Sequence, residues 1–442
     1  MKPYYQLIRH TGNQELFRAV ELSIAALRNG MPMHIHAEGL RGTGKTTIMR
    51  SVRNILPPII RIKGCKYNCH PEAPHCPEHR HLSLDKIINI GTEMVPCPFL
   101  EISHAAKIGT IVGSIDLGKL TNPTEAMAAI LPGTIPQAHR GIIFIDEINR
   151  LADTSPELAD ILLDVMGTKP GYIQIEETGM PVIELPVSVS VWAASNPDEE
   201  PGALNRIRRQ LSDRFDLSIN MGRPNDYLTV YTMLEKQNKD TTLILDENFV
   251  NAGSLSTITI EEQIRKIIAK IYVDFNLESL RAVETMEFAS GLSCLLAGRK
   301  KVELTDLRSV ITLVLAHRID KETITAILRY LDNIKDGCWA LENVIPYSRE
   351  SIADDKVNQQ AYEKVSWWRN LINILCNKIK ITIRNKQHSA YVNSENGAFS
   401  AGNIINPTKA ATVAPPRKGV AMKELPVEEF IANEDNINND RK

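Results

Sequence analysis

A surplus of charge is missing from this 442-residue chain, in which 51 basic residues face 53 acidic ones for a net charge of −2. Without a global field, nothing steers the whole molecule toward nucleic acid or a membrane surface, although local basic patches remain open. Long apolar runs are missing too, so no segment reads as a bilayer-spanning helix. The opening Met-Lys-Pro-Tyr-Tyr-Gln lacks the apolar core of a signal peptide. Together these absences read as a cytoplasmic protein. Aromatic residues are scarce, at 5%, which suits a helix-rich α/β chain. The seven cysteines argue for metal or redox chemistry in one cluster and against a disulfide scaffold. The length is enough for about two or three domains with a large core.

What is present begins with Gly39-Leu-Arg-Gly-Thr-Gly-Lys45-Thr46, which fits the phosphate-loop pattern G-x-x-x-x-G-K-[ST]. Met33–Ala37 before it reads as a buried strand, and residues 47–56 after it as a helix stopped by Pro57-Pro58. Glycines let backbone N–H groups turn inward around a phosphate, and a helix N-terminus adds partial positive charge. Gly39, Arg41, Gly42, Thr43, Gly44, Lys45, Thr46 and Thr47 are therefore the expected nucleotide contacts. Lys45 is expected to reach the terminal phosphates and the Thr46 hydroxyl to hold Mg²⁺. This pattern predicts a nucleoside triphosphate site.

Farther along, Ile142-Ile-Phe-Ile-Asp146-Glu147 is an apolar strand ending in two carboxylates. A buried strand opening at its C-terminal edge would set Asp146 near Mg²⁺ and Glu147 near an attacking water. Val189–Ser195 is a second apolar strand, ending at Asn196, which could orient that water or touch the γ-phosphate. Further strands are expected at Ile59–Ile62, Phe99–Ile102, Val187–Ala193 and Leu217–Met221, with helices between several of them. That alternation predicts an α/β fold with a mostly parallel sheet. Residues 14–28 carry apolar positions at helical spacing, and Tyr172–Glu184 alternates about a Gly turn as a β-hairpin does.

Taken in order, the loop, the strand ending in Asp-Glu and the strand ending in Asn resemble the AAA+ ATPases. Within them the chain is most similar to the magnesium-chelatase I-subunit group, near the MoxR-type ATPases. The stretches that carry this are Gly39–Thr47, Ile111–Asp116, Leu131–Asn149, Ser195–Pro197, Arg208–Phe215, Glu278–Arg281 and Leu313–Arg318. The resemblance implies an AAA+ P-loop wedge over residues 1–223 followed by an all-helical lid over 224–331. A Cys-rich insertion falls at about 64–97 and the branch's helix-2 insert at about 104–140. Residues 332–385 form an extension of unassigned fold, and 386–442 read as a disordered tail.

The same resemblance implies ATP hydrolysis, with Arg214 as the arginine finger reaching a neighbouring subunit's site and Arg281 as the second sensor arginine. Arg208 is an alternative or additional trans contact. A finger acting across copies implies a homo-oligomeric ring, expected to be a hexamer. Its expected work is remodelling a partner protein to drive Mg²⁺ insertion into a porphyrin, the partner supplying the integrin-like or porphyrin-binding domain. A MoxR-like chaperone with a non-tetrapyrrole client is the alternative. A DNA-engaging motor using the basic segment at 378–386 ranks third, since no DNA-binding motif is recognisable.

One motif stands outside this scheme. Cys65-x3-Cys69-x6-Cys76-x2-His79 packs three thiols and an imidazole into fifteen residues, with His70, His75, His81 and Cys97 close by. Such ligands suit tetrahedral Zn²⁺, and less readily an iron–sulfur centre. A thiol redox switch, which the similar cysteine segment of some chelatase I subunits brings to mind, and inert reduced loop cysteines stay open beside zinc. Cys294, Cys338 and Cys376 read as core residues.

Overall fold

The computed structural model describes residues 3–115, 130–175, 182–235 and 253–335. Cys338 and Cys376, the extension from residue 336 on, the tail, the basic segment at 378–386, Asp116 and the turn of the 172–184 hairpin lie outside the described residues.

Five strands form the central sheet: β1 (Ile35–Gly39), β2 (Phe99–Ile102), β3 (Ile142–Ile145), β4 (Ser190–Ser195) and β5 (Leu217–Met221). Their order is β5-β1-β4-β3-β2, and every pairing is parallel. A parallel sheet needs cover on both faces, so its strands are apolar without interruption. β3 shows this directly, because all four of its side chains are fully buried. Alternation along it sends Ile142 and Phe144 to one core and Ile143 and Ile145 to the other.

The first core packs the sheet against the helix Gln14–Arg28, whose Leu16, Phe17, Val20 and Ile24 are buried. This helix has the bounds its periodicity predicts, with Glu15 in the first turn and Arg28 in the last to complement the dipole. The second core packs the sheet against the helices Ile148–Thr154 and Pro156–Val165 and against the cysteine-bearing segment.

Two strand expectations need correcting. Ile59–Ile62 is a strand, but it pairs antiparallel with Thr92–Val95 in a separate ribbon outside the central sheet. The run Val187–Ala193 is not one strand: Ile183–Val187 closes a hairpin with Gly171–Ile175, and β4 starts afresh at Ser190. In both cases an apolar run signals a strand without naming its partner. The helix after the phosphate loop starts earlier than expected, at Lys45, and gives way after Ser51 to a 3₁₀ turn.

Beyond β5 the described elements are helical, chiefly Glu262–Asp274, Leu280–Leu296, Leu304–Leu315 and Lys321–Lys335. Leu280–Leu296 is buried nearly all round and is rich in small residues (Ala282, Ala289, Ser290, Gly291, Ser293), which let its neighbours approach closely. These helices share the first core with the sheet. No helix among the described residues is long and apolar enough to cross a membrane.

Polar groups fasten this unit from inside. Asp216, at the entry to β5, accepts the His34 backbone N–H (2.8 Å), pairs with Lys169 (2.8 Å) and accepts from Thr285 Oγ1 of a lid helix (3.4 Å). Burial pushes the Asp216 carboxyl up, but the charges of Lys169 and His34 and the hydrogen bonds outweigh it and leave the group below its usual range. His34 and His36 on and beside β1 are buried, and burial pulls each imidazole down to about 4. His34 Nδ1 accepts the Val191 N–H at 3.1 Å, and His36 Nε2 lies 2.8 Å from Ser195 Oγ.

The unfolded chain protonates these histidines near pH ~6.5, before the folded chain does. Their contribution to stability is therefore complete above about pH 6.5 and is lost as pH falls toward 4. Urea midpoints measured across this window should drop with acidification, and His36→Phe should flatten the slope. An unchanged slope in that variant would contradict a neutral, buried His36.

Candidate nucleotide-binding site

Parallel register brings three strand ends to one edge. Gly39 at the end of β1 sits opposite Met221, Glu38 opposite Ser195, and Ile145 opposite Ala193. The chain leaving β1 must turn at once and run into a helix. Gly39 makes the turn possible, because a Cβ there would lie 2.6 Å from the Met221 carbonyl oxygen, at φ 156°. Gly44 has φ 91°, a left-handed conformation that L side chains rarely adopt, immediately before the helix Lys45–Ser51.

The resulting cleft is lined by Arg41 through Thr47, by Asp146 and Glu147 beyond β3, and by Ser195, Asn196 and Glu199 at and beyond β4. Every residue expected to contact nucleotide lines it except Gly39, which shapes the turn beneath. Lys45 is buried and folds its ammonium onto the loop, donating to the Gly39 carbonyl (2.5 Å) and the Leu40 carbonyl (2.7 Å). Burial lowers its pKa, while Asp146, Glu199 and Glu38 pull the other way. Arg41 forms an ion pair with Glu199 across the cleft mouth.

Thr46 and Asp146 meet: the threonine Oγ1 lies 3.4 and 3.3 Å from the two carboxylate oxygens. A hydroxyl beside a carboxylate, both oxygen ligands, is a donor set that suits a hard cation such as Mg²⁺. Glu147 follows with φ 55°, left-handed in a residue that is not glycine, and pairs with Arg150 at 2.9 Å. That uncommon backbone turns Glu147 away from the strand line and into the cleft lining.

Asn196 accepts at its backbone carbonyl from Asn149 Nδ2 (3.2 Å), and its side-chain oxygen accepts the Asp198 N–H (3.3 Å). Asn149 also donates to the Gly202 carbonyl (3.0 Å), so this buried amide holds the end of β4 against the helix after β3. Arg50 spans Glu101 in a two-point contact and reaches Asp146 at 3.6 Å. Neither Asn149 nor Arg50 stands out in the sequence, where a polar residue on a helix reads as a solvated face. Their positions, three beyond Asp146 and five beyond Lys45, were the available signal.

Arg214 and Arg281 do not line this cleft. They converge elsewhere, on one carbonyl: Gly167 O accepts from Arg214 Nη1 (3.2 Å) and from Arg281 Nη2 (2.7 Å). Arg281 Nη1 also reaches the Met166 carbonyl at 3.4 Å. Burial and then the Arg214 charge lower the Arg281 pKa. The carboxylates beside Arg214 are committed to other partners, Asp213 to Arg318 (3.1 Å) and Asp216 to Lys169. Arg318 also donates to the Asp213 and Phe215 carbonyls, at 2.9 Å each, and so clamps the segment that carries Arg214. Arg208 pairs with Asp160 and donates to the Pro156 carbonyl.

Cys65, Cys69, Cys76 and His79 are brought together, with all four ligand atoms within 4.8 Å of one another. They lie outside the lining of the nucleotide cleft.

Comparison with known proteins agrees with this architecture. The family described as magnesium chelatase, subunit ChlI, matches residues 7–201, and the AAA lid domain matches residues 265–328. The magnesium-chelatase 38 kDa subunit of Acidiphilium rubrum is 27% identical over 72% of this chain and 92% of its own length. The magnesium-chelatase subunit ChlI of Porphyra purpurea is 28% identical over 73% of this chain and 91% of its own length. A cryo-EM-based structure of the complex between magnesium-chelatase subunits BchI and BchD shares 23% identity over 74% of this chain and 98% of that one. Its TM-score is 0.41, too loose a likeness to add to the fold. From its loop, its sheet order, its helical lid and these relatives, the chain has the fold of an AAA+ α/β wedge followed by a helical lid and is similar to the magnesium-chelatase I subunit.

Proposed function

We propose that this chain hydrolyses ATP as the ring-forming motor of a magnesium-chelatase-type complex, in the cytoplasm. In this reading residues 1–223 are the nucleotide wedge and 224–331 the lid. The observation that carries it is the meeting of Thr46 and Asp146 under the loop, with Glu147 next in the chain.

ATP would lie with its phosphates in the loop of residues 39–47, where backbone N–H groups and the Lys45 ammonium face negative charge. Lys45 must leave its loop carbonyls to reach the phosphates, so the loop stores its own lysine in place. Thr46 and Asp146 would hold Mg²⁺, which when bound supplies positive charge to the β- and γ-phosphate oxygens. Glu147 accepts the proton of the attacking water, and Asn196 orients that water from the neighbouring strand end. Arg214 completes the reaction from the adjacent copy, because in its own chain it rests on Gly167 outside the cleft lining. Arg281 shares that carbonyl, so we assign it to the same intersubunit face, where it links the lid to the nucleotide next door.

The ring we expect is a hexamer. Its stroke would move wedge against lid and remodel a partner protein that carries the porphyrin-binding or integrin-like domain, with Mg²⁺ insertion into the porphyrin as the coupled work. The zinc expected from the cysteine spacing has no part in this reaction, since those residues stand apart from the cleft.

Glu147→Gln should bind ATP and assemble, yet lose turnover by about 10²-fold or more. Unchanged phosphate release would remove Glu147 from its role. Arg214→Ala should lower turnover by about 10³-fold. Mixing Arg214→Ala with Lys45→Ala chains should restore part of the activity, since some interfaces regain both an intact loop and an intact finger. Full activity of Arg214→Ala alone would overturn the shared site. Affinity purification from the native cell should recover a porphyrin-binding chelatase subunit, whereas recovery of an unrelated complex would favour a MoxR-like chaperone.

A further inference from the structure

We propose that Cys65, Cys69, Cys76 and His79 hold one Zn²⁺ in a closed structural site that fastens the excursion between Ile62 and Thr92 onto the segment entering β3. The need is visible in the chain. From Lys63 to Ser83 no helix or strand forms, only the isolated bridge His70–Ala73. Irregular stretches of this length are uncommon in a compact domain unless something holds them. Yet this one is well buried at its centre: Cys65, Tyr67, Cys69 and Cys76 are each no more than 2% exposed, and His79 is 8% exposed.

The geometry fits a tetrahedral ion. With Zn–S near ~2.3 Å and Zn–N near ~2.0 Å, ligand atoms stand about 3.5–3.8 Å apart. Here Cys65 Sγ and Cys76 Sγ are 4.0 Å apart, Cys76 Sγ and His79 Nδ1 are 3.0 Å apart, and all four atoms fall within 4.8 Å. Adjustments of less than about 1 Å would complete the tetrahedron. The thiols are free, and three of them cannot all pair with one another.

The backbone is arranged to serve the sulfurs. Gly64 (φ 75°) and Asn68 (φ 53°) are both left-handed, which curls the loop so that Cys65 and Cys69 face the same point. The N–H groups of His75 and Cys76 both donate to Cys69 Sγ, each at 3.4 Å. A neutral thiol is a weak acceptor and wastes two such donors, whereas a metal-bound thiolate uses them.

The role follows from the attachments. The His75 ring stacks on His139 at 3.8 Å, Asn68 Nδ2 donates to the Gln137 carbonyl (2.7 Å), and Arg140 Nη1 donates to the Ile60 carbonyl (2.5 Å). Gln137, His139 and Arg140 lead directly into β3, at the end opposite Asp146. Four protein ligands leave no coordination place for water, so the ion acts as a staple and not as a Lewis acid.

The full chain, expressed with zinc in the medium and purified without chelator, should carry one zinc per chain by elemental analysis. Cobalt substituted for it should show thiolate-to-metal charge transfer and the intense visible bands of a tetrahedral site. Cys97→Ser and Cys294→Ser should keep the metal, while Cys65→Ser and Cys76→Ser should lose it. Should those two variants fail to fold, wild-type chain answers instead: a chelator should expose three further thiols to a thiol reagent and lower the thermal midpoint. Wild-type chain without zinc and without a tetrahedral cobalt spectrum would overturn the proposal. So would a Cys65–Cys76 disulfide found by mass spectrometry in place of the metal, or zinc retained in Cys65→Ser.

Discussion

The parallel register of β1, β3 and β4 is the constraint on which the rest depends. Because these strands run the same way and end at the same level, Gly39, Asp146 and Asn196 leave the sheet along one edge. A loop, two carboxylates and an amide that are far apart in sequence thereby line a single cleft. The apolar faces of the strands hold that register, since a slip of one residue would turn Ile143 and Ile145 toward the wrong core. The site's chemistry is thus set by packing beneath it, and its polar residues need only be placed at strand ends.

The lid is joined to the opposite end of the sheet, at the entry to β5, by polar contacts as well as by the shared core. Thr285 meets Asp216, and Arg318 grips the backbone and side chain of the 213–215 segment. Arg318 is itself only 7% exposed, so its hydrogen bonds form in a setting where losing them leaves a buried charge without partners. Any shift of the lid must carry Arg214 with it or break that grip. This couples the lid to the segment that carries Arg214 without passing through the cleft of its own chain.

Much of this was legible in the residues alone. The phosphate loop, the Asp146-Glu147 pair and Asn196 announce themselves because each sits where an apolar run stops, and the helix 14–28 follows from its periodicity. The partners of those residues were not legible. Nothing in the apolar run Ile59–Ile62 shows that it pairs with Thr92–Val95 and not with the main sheet. Arg50 and Asn149 look like ordinary helical polar residues, and their importance appears only when Asp146 and Asn196 arrive beside them in space; Arg318 ends a stretch that carries the resemblance, yet nothing in the sequence pairs it with Asp213. Arg281 matched a motif, yet its acceptor, Gly167, lies 114 residues away in the chain. Spacing records which chemistry a segment can supply, whereas long-range packing decides whom it serves.

The two guanidinium groups on the Gly167 carbonyl have a thermodynamic corollary. A carbonyl offers partial negative charge to two full positive ones, and although Asp213, Asp216 and Glu284 favour the charge on Arg281, burial and the Arg214 charge outweigh them. If a neighbour's triphosphate is what satisfies the two groups, then fuel and ring closure are linked quantities. Nucleotide tightens the contact between copies by the same factor by which that contact tightens nucleotide. An empty ring would then be a loose one, and the concentration of fuel in the cell would set how many rings stand assembled.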